Sequence, residues 1–407
     1  MVVFDSPQRA RARNRRLVLD VVHSRQGVTR AQLGAIIKLS KTSIKEICDD
    51  LISEGLLEEY QAEPAKRQQG RPALSLRIST SQGCVLGIDV GADKVNARTA
   101  TLDGDLLAAK EVRTRREKPD KDYLLGLVKE AVTAIRQSSE DASEFRVVVV
   151  STPGVVDPRT QVVSLAPQIL HWDGTDLRTA FAECLDIEPE RIFVERQTDL
   201  SVLAEAVAGA AEGLETVLYV QLGIGIGGGI IANGVPCTGA VGAAGELGYL
   251  PLSFGDDPPA GSGIGSWEWA AGGRAWARHG RAAATEPSGA RLRELAGGNP
   301  DDVDAEVVFR GVRENDEAAL AVFRCMTHRI AAGIAAAVCV INPECVLIAG
   351  GLSKGGEMLL DALRDELKEL VPIMPDVRLA AFGGDGGVTG ALYKATERAF
   401  DALNPMP

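Results

Sequence analysis

The side chains that could do chemistry are few and unevenly placed. The seven cysteines are Cys48, Cys84, Cys184, Cys237, Cys325, Cys339 and Cys345, an odd number with no CxxC or CxC pair. That argues against a disulfide framework and against a zinc cluster; most of these cysteines read as small buried hydrophobes. The four histidines, His23, His171, His279 and His328, show neither HxxxH nor HExxH spacing, so no dedicated metal site is expected. Cations are different. Residues 1–80 carry a net charge of +5 and the remainder −17, within a total of −12. A basic head on an acidic body suits contact with an anionic polymer. Within that head, Lys41, Thr42, Ser43 and Lys45 follow Ser40 closely, and Lys66, Arg67 and Arg71 lie in the polar stretch PAKRQQGRP.

The elements that must position these groups follow from local patterning. Residues 9–26 read as a helix with Leu17, Val18, Val21 and Val22 on its apolar stripe, stopped by Gly27. Thr29 is placed to cap a second helix, RAQLGAII, with Gln32 completing a capping box. After KLS, Ser40 is placed to cap a third helix that runs to Gly55, with Ile44, Ile47, Cys48, Leu51 and Ile52 facing inward. LLEEYQAE and ALSLRIST then alternate like two strands. Three helices followed by a hairpin form the winged helix-turn-helix pattern. The third helix would enter the major groove of double-stranded DNA by its N-terminal end, exposing Ser40, Lys41, Thr42, Ser43 and Lys45, with Arg30 beside it. The wing tip would bring Lys66, Arg67 and Arg71 to the backbone or minor groove. A homodimer or homotetramer reading a palindromic operator is the expected assembly.

A chain of 407 residues is too long for one ordinary core. The boundaries expected are 1–78 for the DNA-binding unit, then 79–200 and 201–407 for two lobes, with the C-terminal helix able to return to the first. No apolar run reaches the ~18 to 20 residues of a membrane span, and the basic N-terminus lacks the apolar core of a secretory signal. A cytoplasmic protein without a membrane partner is therefore expected. Beyond residue 80 the pattern is α/β. GCVLGIDVGAD, RVVVVSTPGVV, RIFVE and NPECVLIAGG read as strands, and TVLYVQLGIGIGGGIIANG as a glycine-interrupted strand pair. Residues 120–138, 200–212 and 315–339 read as helices.

Several of these segments carry a family resemblance. GRPALSLRI, GIDVGAD, STPGVVD, LAPQILHW, LGIGIGGGIIANG, GAAGELGY, GSWEWAAGG and INPECVLIAGG stand in an order that resembles the regulator branch of the ROK family (repressors, open reading frames and sugar kinases). The resemblance implies a two-lobed actin- and hexokinase-like, ribonuclease H-like body. The family's kinases bind a hexose between the lobes and transfer phosphate from ATP. They use the Asp of an Asn-Asp pair, just after a VE strand end, as general base. Here VE is Val194-Glu195, and the pair falls on Arg196 and Gln197. Glutamine cannot take a proton at neutral pH, which removes base catalysis worth roughly 10²–10⁴-fold. Asp199 lies two residues further on and is expected to cap the next helix.

The phosphate turns also depart from the family. Asp93 in the first turn would repel a triphosphate, and Ile224 in the second lacks a hydroxyl. Family zinc ligands are replaced as well. Tyr249 stands for a histidine, and Pro259, Gly261 and Ser266 stand where thiolates would be. Neither zinc nor ATP is expected, and Trp267 and Trp269 are expected to stiffen this loop by packing. What the resemblance leaves is a sugar site. Glu246 and Glu268 match glutamates that accept bonds from sugar hydroxyls, Pro153-Gly154 forms a tight loop at the same cleft, and Arg196, Gln197 and Tyr249 alter its chemistry. Arg196 could pair with Glu246 or Glu268, or could hold an anionic group on the ligand. Trp172 reads as packing. The expected function is a transcriptional regulator, a repressor, controlled by a sugar or sugar-derivative effector without phosphotransfer. The alternatives are a ligand-independent regulator whose body only oligomerises, and an active sugar kinase.

Overall fold

The computed structural model describes residues 7–25, 27–61, 74–116, 118–138 and 144–403. Lys66, Arg67 and Arg71 lie outside the described residues. The N-terminal unit consists of α1 (Pro7–Ser24), α2 (Arg30–Ile37), α3 (Lys41–Ser53) and the antiparallel pair β1 (Leu57–Tyr60) and β2 (Ser75–Ile78). Its helix starts are fixed as the sequence indicates. Thr29 Oγ1 accepts from the Gln32 amide at 3.3 Å, and Gln32 Oε1 accepts from the Thr29 amide at 2.8 Å. Ser40 Oγ accepts from the Ser43 amide at 3.1 Å. Each cap of this kind is worth about 1 kcal/mol. Lys38 closes α2 in a left-handed conformation, φ 60°, which turns the chain into α3.

The inward face of α1 is centred on Val18, Leu19 and Val22, whereas Leu17 is 40% exposed. Of the expected stripe, Val18 and Val22 are buried and Val21 packs at the edge of the core, while Leu19 takes the place of Leu17. A helix advances 100° per residue, so Leu17 and Leu19 flank Val18 on opposite sides and only one of them can face the core. Ile52 on α3 is half-buried at the edge of the same core. This core is continuous with the body. Val18, Leu33, Ile44 and Leu51 belong to one apolar cluster with Val85, Val147, Leu200, Ala395 and Phe400. His23 stacks on Phe400 with ring centroids 4.2 Å apart.

The body repeats one plan twice. The first lobe contains β3 (Cys84–Val90), β4 (Lys94–Thr101), β5 (Leu106–Arg113), α4 (Lys121–Ser138), β6 (Phe145–Thr152), the short pair β7 (Val155–Val156) and β8 (Val163–Ser164), α5 (Leu177–Leu185) and β9 (Ile192–Arg196). Its sheet order is β5-β4-β3-β6-β9, antiparallel at the hairpin end and parallel from β3 to β9. α6 (Gln197–Ala208) then leads to the second lobe: β10 (Val217–Leu222), β11 (Ile226–Ala232), β12 (Val235–Pro236), α7 (Ser266–Ala271), α8 (Gly273–Thr285), α9 (Ala290–Leu295), α10 (Ala305–Arg313), α11 (Glu317–Ile341), β13 (Cys345–Ala349), α12 (Glu357–Leu370), β14 (Asp376–Leu379) and α13 (Gly386–Leu403). Its sheet order, β12-β11-β10-β13-β14, repeats the hairpin followed by two parallel crossovers.

Crossovers of this type bury the parallel strands on both faces, and β3 and β13 are buried at every residue. Helix α11 is long and apolar enough to cross a membrane, but it is the central helix of the second-lobe core. There Gly333 lies so close to Trp267 that a Cβ would stand 1.9 Å from its ring.

Two helices tie the lobes together. α13 returns to the first lobe, where a Cβ on Gly87 of β3 would stand 2.7 Å from Leu392 N. It also crosses α6, because Gly390 has no side chain; a Cβ there would lie 1.8 Å from Leu200 O. A division between residues 200 and 201 passes through α6, whose first turn faces the cleft.

Candidate functional site

Arg196, the last residue of β9 and the residue preceding α6, lies where the two lobes meet, bonded to Glu246 and Ala244 of the second lobe. Its side chain is 4% exposed. Nε and Nη2 donate to the two oxygens of Asp199 at 3.2 and 2.6 Å. Nη1 donates to Glu246 Oε1 at 3.0 Å, and Nη2 also reaches the Ala244 carbonyl. The expectation that Asp199 caps α6 is corrected. Arg196 occupies the cap position without a side-chain cap bond, and Asp199 sits inside the first turn, where i,i+3 spacing turns it back to the guanidinium. Burial pushes the Asp199 carboxyl up to about 6 against the pull of Arg196. For Arg196 itself burial acts downward, but Asp199 and Glu246 outweigh it and hold the guanidinium above its usual range.

Beside this pair, Gln197 Nε2 donates to both oxygens of Asp89 at 3.1 Å, and Ser151 Oγ donates to Asp89 as well. Asp89 is 3% exposed, and a Cβ on Gly387 of α13 would stand 2.5 Å from its Oδ1. Burial lifts this carboxyl to about 6, opposed by the Ser151 and Gln197 bonds. Asp89 is thus sealed behind the cleft, and Gln197 closes it off. At the two positions after VE the structure offers a paired cation and an amide, and neither takes a proton from a sugar hydroxyl.

The second lobe supplies the facing wall. Glu268, on α7, accepts from the Ile226 amide at 3.1 Å and lies against Gly225, where a Cβ would stand 2.5 Å from Oε2. Burial raises its pKa first of all, and Glu246 adds to the rise. Glu246 precedes a turn at Leu247–Tyr249. Gly245, at φ 85°, lets that turn meet Gly228 O and Arg196 Nη2, which would lie 2.5 and 3.2 Å from a Cβ. Tyr249 is 43% exposed, and its hydroxyl donates to Gly263 O at 2.7 Å, tying it to the loop rather than leaving it unpartnered. Gly154, at φ 88°, packs against Ser164 O, so Pro153-Gly154 forms a tight turn with the β7–β8 segment. Ile224 is 70% exposed in the second glycine turn. Trp172 is fully buried, with Nε1 donating to Thr152 Oγ1 at 2.8 Å. The structure therefore gathers Arg196, Gln197, Glu246 and Glu268. It adds Asp199, Asp89 and Ser151, of which only the Arg196–Asp199 spacing left a signal in the sequence.

On the N-terminal unit, Lys41, Thr42 and Lys45 are exposed and Ser43 is half-buried at the start of α3. The Ser40 and Ser43 hydroxyls lie 2.9 Å apart. Arg30 is engaged within the unit. Its Nη1 donates to Asp49 at 2.6 Å and its Nε to Glu59 at 2.7 Å, which joins α2 to α3 and β1.

Two lobes of like topology around a cleft, joined by crossing helices, define the actin- and hexokinase-like class. The chain belongs to the ROK family, whose model matches residues 85–398. It is 24% identical over 357 residues to the xylose repressor of Caldicellulosiruptor bescii, covering 88% of this chain and 87% of that protein. It is 27% identical over 321 residues to the glucokinase of Thermotoga maritima, covering 77% of this chain and 98% of that protein. Among solved structures, a ROK family transcriptional regulator homologous to the E. coli MLC protein shares the fold over 97% of this chain and 98% of its own, at 20% identity and a TM-score of 0.73. A ROK family glucokinase from Streptomyces griseus, solved with glucose and AMPPNP, covers 77% of this chain and 100% of its own, at 25% identity and a TM-score of 0.65.

Proposed function

We propose that this protein is a cytoplasmic transcriptional repressor in which a winged helix-turn-helix binds operator DNA. A sugar or sugar derivative bound between the lobes controls it, with no phosphate transfer. The observation that carries this reading is Arg196. Where a sugar kinase of this family needs a carboxylate base, the chain places a guanidinium neutralised by Asp199 and Glu246, with Gln197 committed to Asp89. The extent of similarity agrees. The glucokinases cover 77% of the chain, whereas the repressor and the regulator structure cover 88% and 97%, more than the residues from 85 onward alone can supply. In this reading Lys41, Thr42, Ser43 and Lys45 meet the DNA, and Glu246 and Glu268 meet effector hydroxyls near Tyr249, Pro153 and Gly154. An operator-binding homodimer or homotetramer completes it.

The test is a coupled ATP assay across D-glucose, D-mannose, D-xylose and their amino and acidic derivatives, run beside thermal shift with the same compounds. No turnover is expected, while at least one compound at about 100 times its Kd raises stability by about 2.7 kcal/mol. Turnover that disappears in Asp199→Ala establishes a kinase instead. A panel without any thermal shift removes the effector and leaves a ligand-independent regulator.

A further inference from the structure

Between the Leu247–Tyr249 turn and α7, the chain from Leu250 to Gly265 carries no helix or strand. Loops of this length without secondary structure are uncommon in compact domains, so the contacts that hold this one matter. Its ends are fixed by Tyr249 Oη on Gly263 O at 2.7 Å and by the Trp267 amide on Leu250 O at 3.2 Å. A metal does not suit its middle. Pro259 and Gly261 bring no soft ligand, and among the described residues no three His, Cys, Asp or Glu side chains group as a metal site.

Two arginines hold it instead. Arg329 of α11 donates to Asp256 Oδ1 at 3.1 Å, and Arg278 of α8 to Asp256 Oδ2 at 3.3 Å. Each arginine also grips α7: Arg329 Nη1 bonds Ala270 O at 3.2 Å, and Arg278 Nη2 bonds Trp269 O at 2.9 Å. Aromatic faces complete the arrangement. Arg278 lies 3.8 Å from the Trp269 ring centroid and Arg329 lies 5.2 Å from that of Phe254. Trp267 Nε1 closes the circuit on Arg329 O at 2.8 Å. Arg329 is the more buried of the two, 11% exposed against 34%, so Asp256 is its charge partner in a setting where an unpaired cation is disfavoured.

We propose that Asp256 is a positioning residue: through Arg278 and Arg329 it clamps the Leu250–Gly265 loop and sets α7, and with it Glu268, by charge and cation–π contacts in place of a structural metal. The clamp needs no particular effector, so it stands or falls independently of the functional reading above.

The experiment compares full-length wild type, Asp256→Asn and Asp256→Glu by three measurements: chymotrypsin cleavage after Phe254, hydrogen exchange at the Ile226 amide that Glu268 accepts, and Tm. In Asp256→Asn, cleavage and Ile226 exchange are expected to accelerate about 10-fold or more, since local opening governs both. Asp256→Glu is expected to restore most of the protection, and treatment of wild type with 1,10-phenanthroline to change nothing. Unchanged cleavage or unchanged Ile226 exchange in Asp256→Asn overturns the proposal. So does a rise that Asp256→Glu fails to reverse, or opening of the wild-type loop by the chelator.

Discussion

The start of α3 and the cleft treat their cations in opposite ways. On α3, Lys41 and Lys45 point outward from a helix start whose backbone amides already favour anions. In the cleft, Arg196 is turned inward and consumed by Asp199, Glu246 and the Ala244 carbonyl. Arg30 shows that the same inward solution operates in the N-terminal unit when a cation has structural work, since it is held by Asp49 and Glu59. An outward cation stays open to solvent or to a partner, whereas an inward one is completed by the fold. In the proposed reading the polyanion is met by the N-terminal unit. The cleft, with Glu268 and Glu246 still facing it and its arginine neutralised, suits a ligand that donates hydrogen bonds.

The largest effect should come from breaking the inward case. Arg196→Ala leaves Asp199 buried beside Glu246 without a counter-charge, a loss of about 3–5 kcal/mol that should lower Tm by on the order of 10 °C. Arg196→Ala/Asp199→Asn should recover part of it. A neutral Arg196→Ala would show that the cleft is not self-neutralised. Next comes the outward case. Lys41→Ala/Lys45→Ala should leave Tm within about 0.5 kcal/mol of wild type. It should weaken operator binding about 10–100-fold and flatten the salt dependence by about 2 counterions, as read by anisotropy titrations at several salt concentrations.

Glu246→Gln sharpens the contrast within the cleft. Its ion pair is 27% exposed on the glutamate side, so stability should change by no more than about 1 kcal/mol. Affinity for whichever panel sugar shifts Tm should fall about 10-fold, since a charged acceptor is lost.

The smallest effect lies where the N-terminal unit meets the first lobe. Asp103 accepts from the Ile78 amide at 3.0 Å, and burial lifts its carboxyl from 3.8 to about 7, only partly opposed by that bond. The folded state therefore holds this proton more tightly than the unfolded chain. The stability it contributes is complete below the ordinary carboxylate value and declines as pH rises toward 7. Asp103→Asn should flatten that decline by a few °C in Tm measured from pH 4 to 8.

How much of this was legible in the sequence depended on range. The caps at Thr29 and Ser40 were readable because a cap is a bond across three residues. The central parallel strands β3, β6, β9, β10 and β13 were readable because such strands are apolar runs, whereas β14 at the sheet edge, with only Val377 buried among its four residues, left no such run. The buried face of α1 was harder to place, because Leu19 packs in an apolar cluster shared with α13, hundreds of residues away. The loss of the base was visible at Arg196 and Gln197, and pairing with Glu246 stood among the open options. Asp199 as the second partner was not foreseen. Its helix-start position suggested a cap, and only the direction of the Arg196 side chain turns it into an ion pair. The sealing of Asp89 by Gln197, Ser151 and Gly387 left no signal, because it depends on three distant segments meeting.

The central claim is that a kinase-like body has become a ligand-controlled switch for DNA. Its most direct test is titration of the full-length protein against DNA from its own upstream region at ~100 mM salt, where specific complexes persist, with and without the panel compounds. The account predicts sequence-selective binding at least about 10³-fold tighter than to scrambled DNA, relieved by a compound that also shifts Tm. Equal affinity for the two DNAs would contradict it.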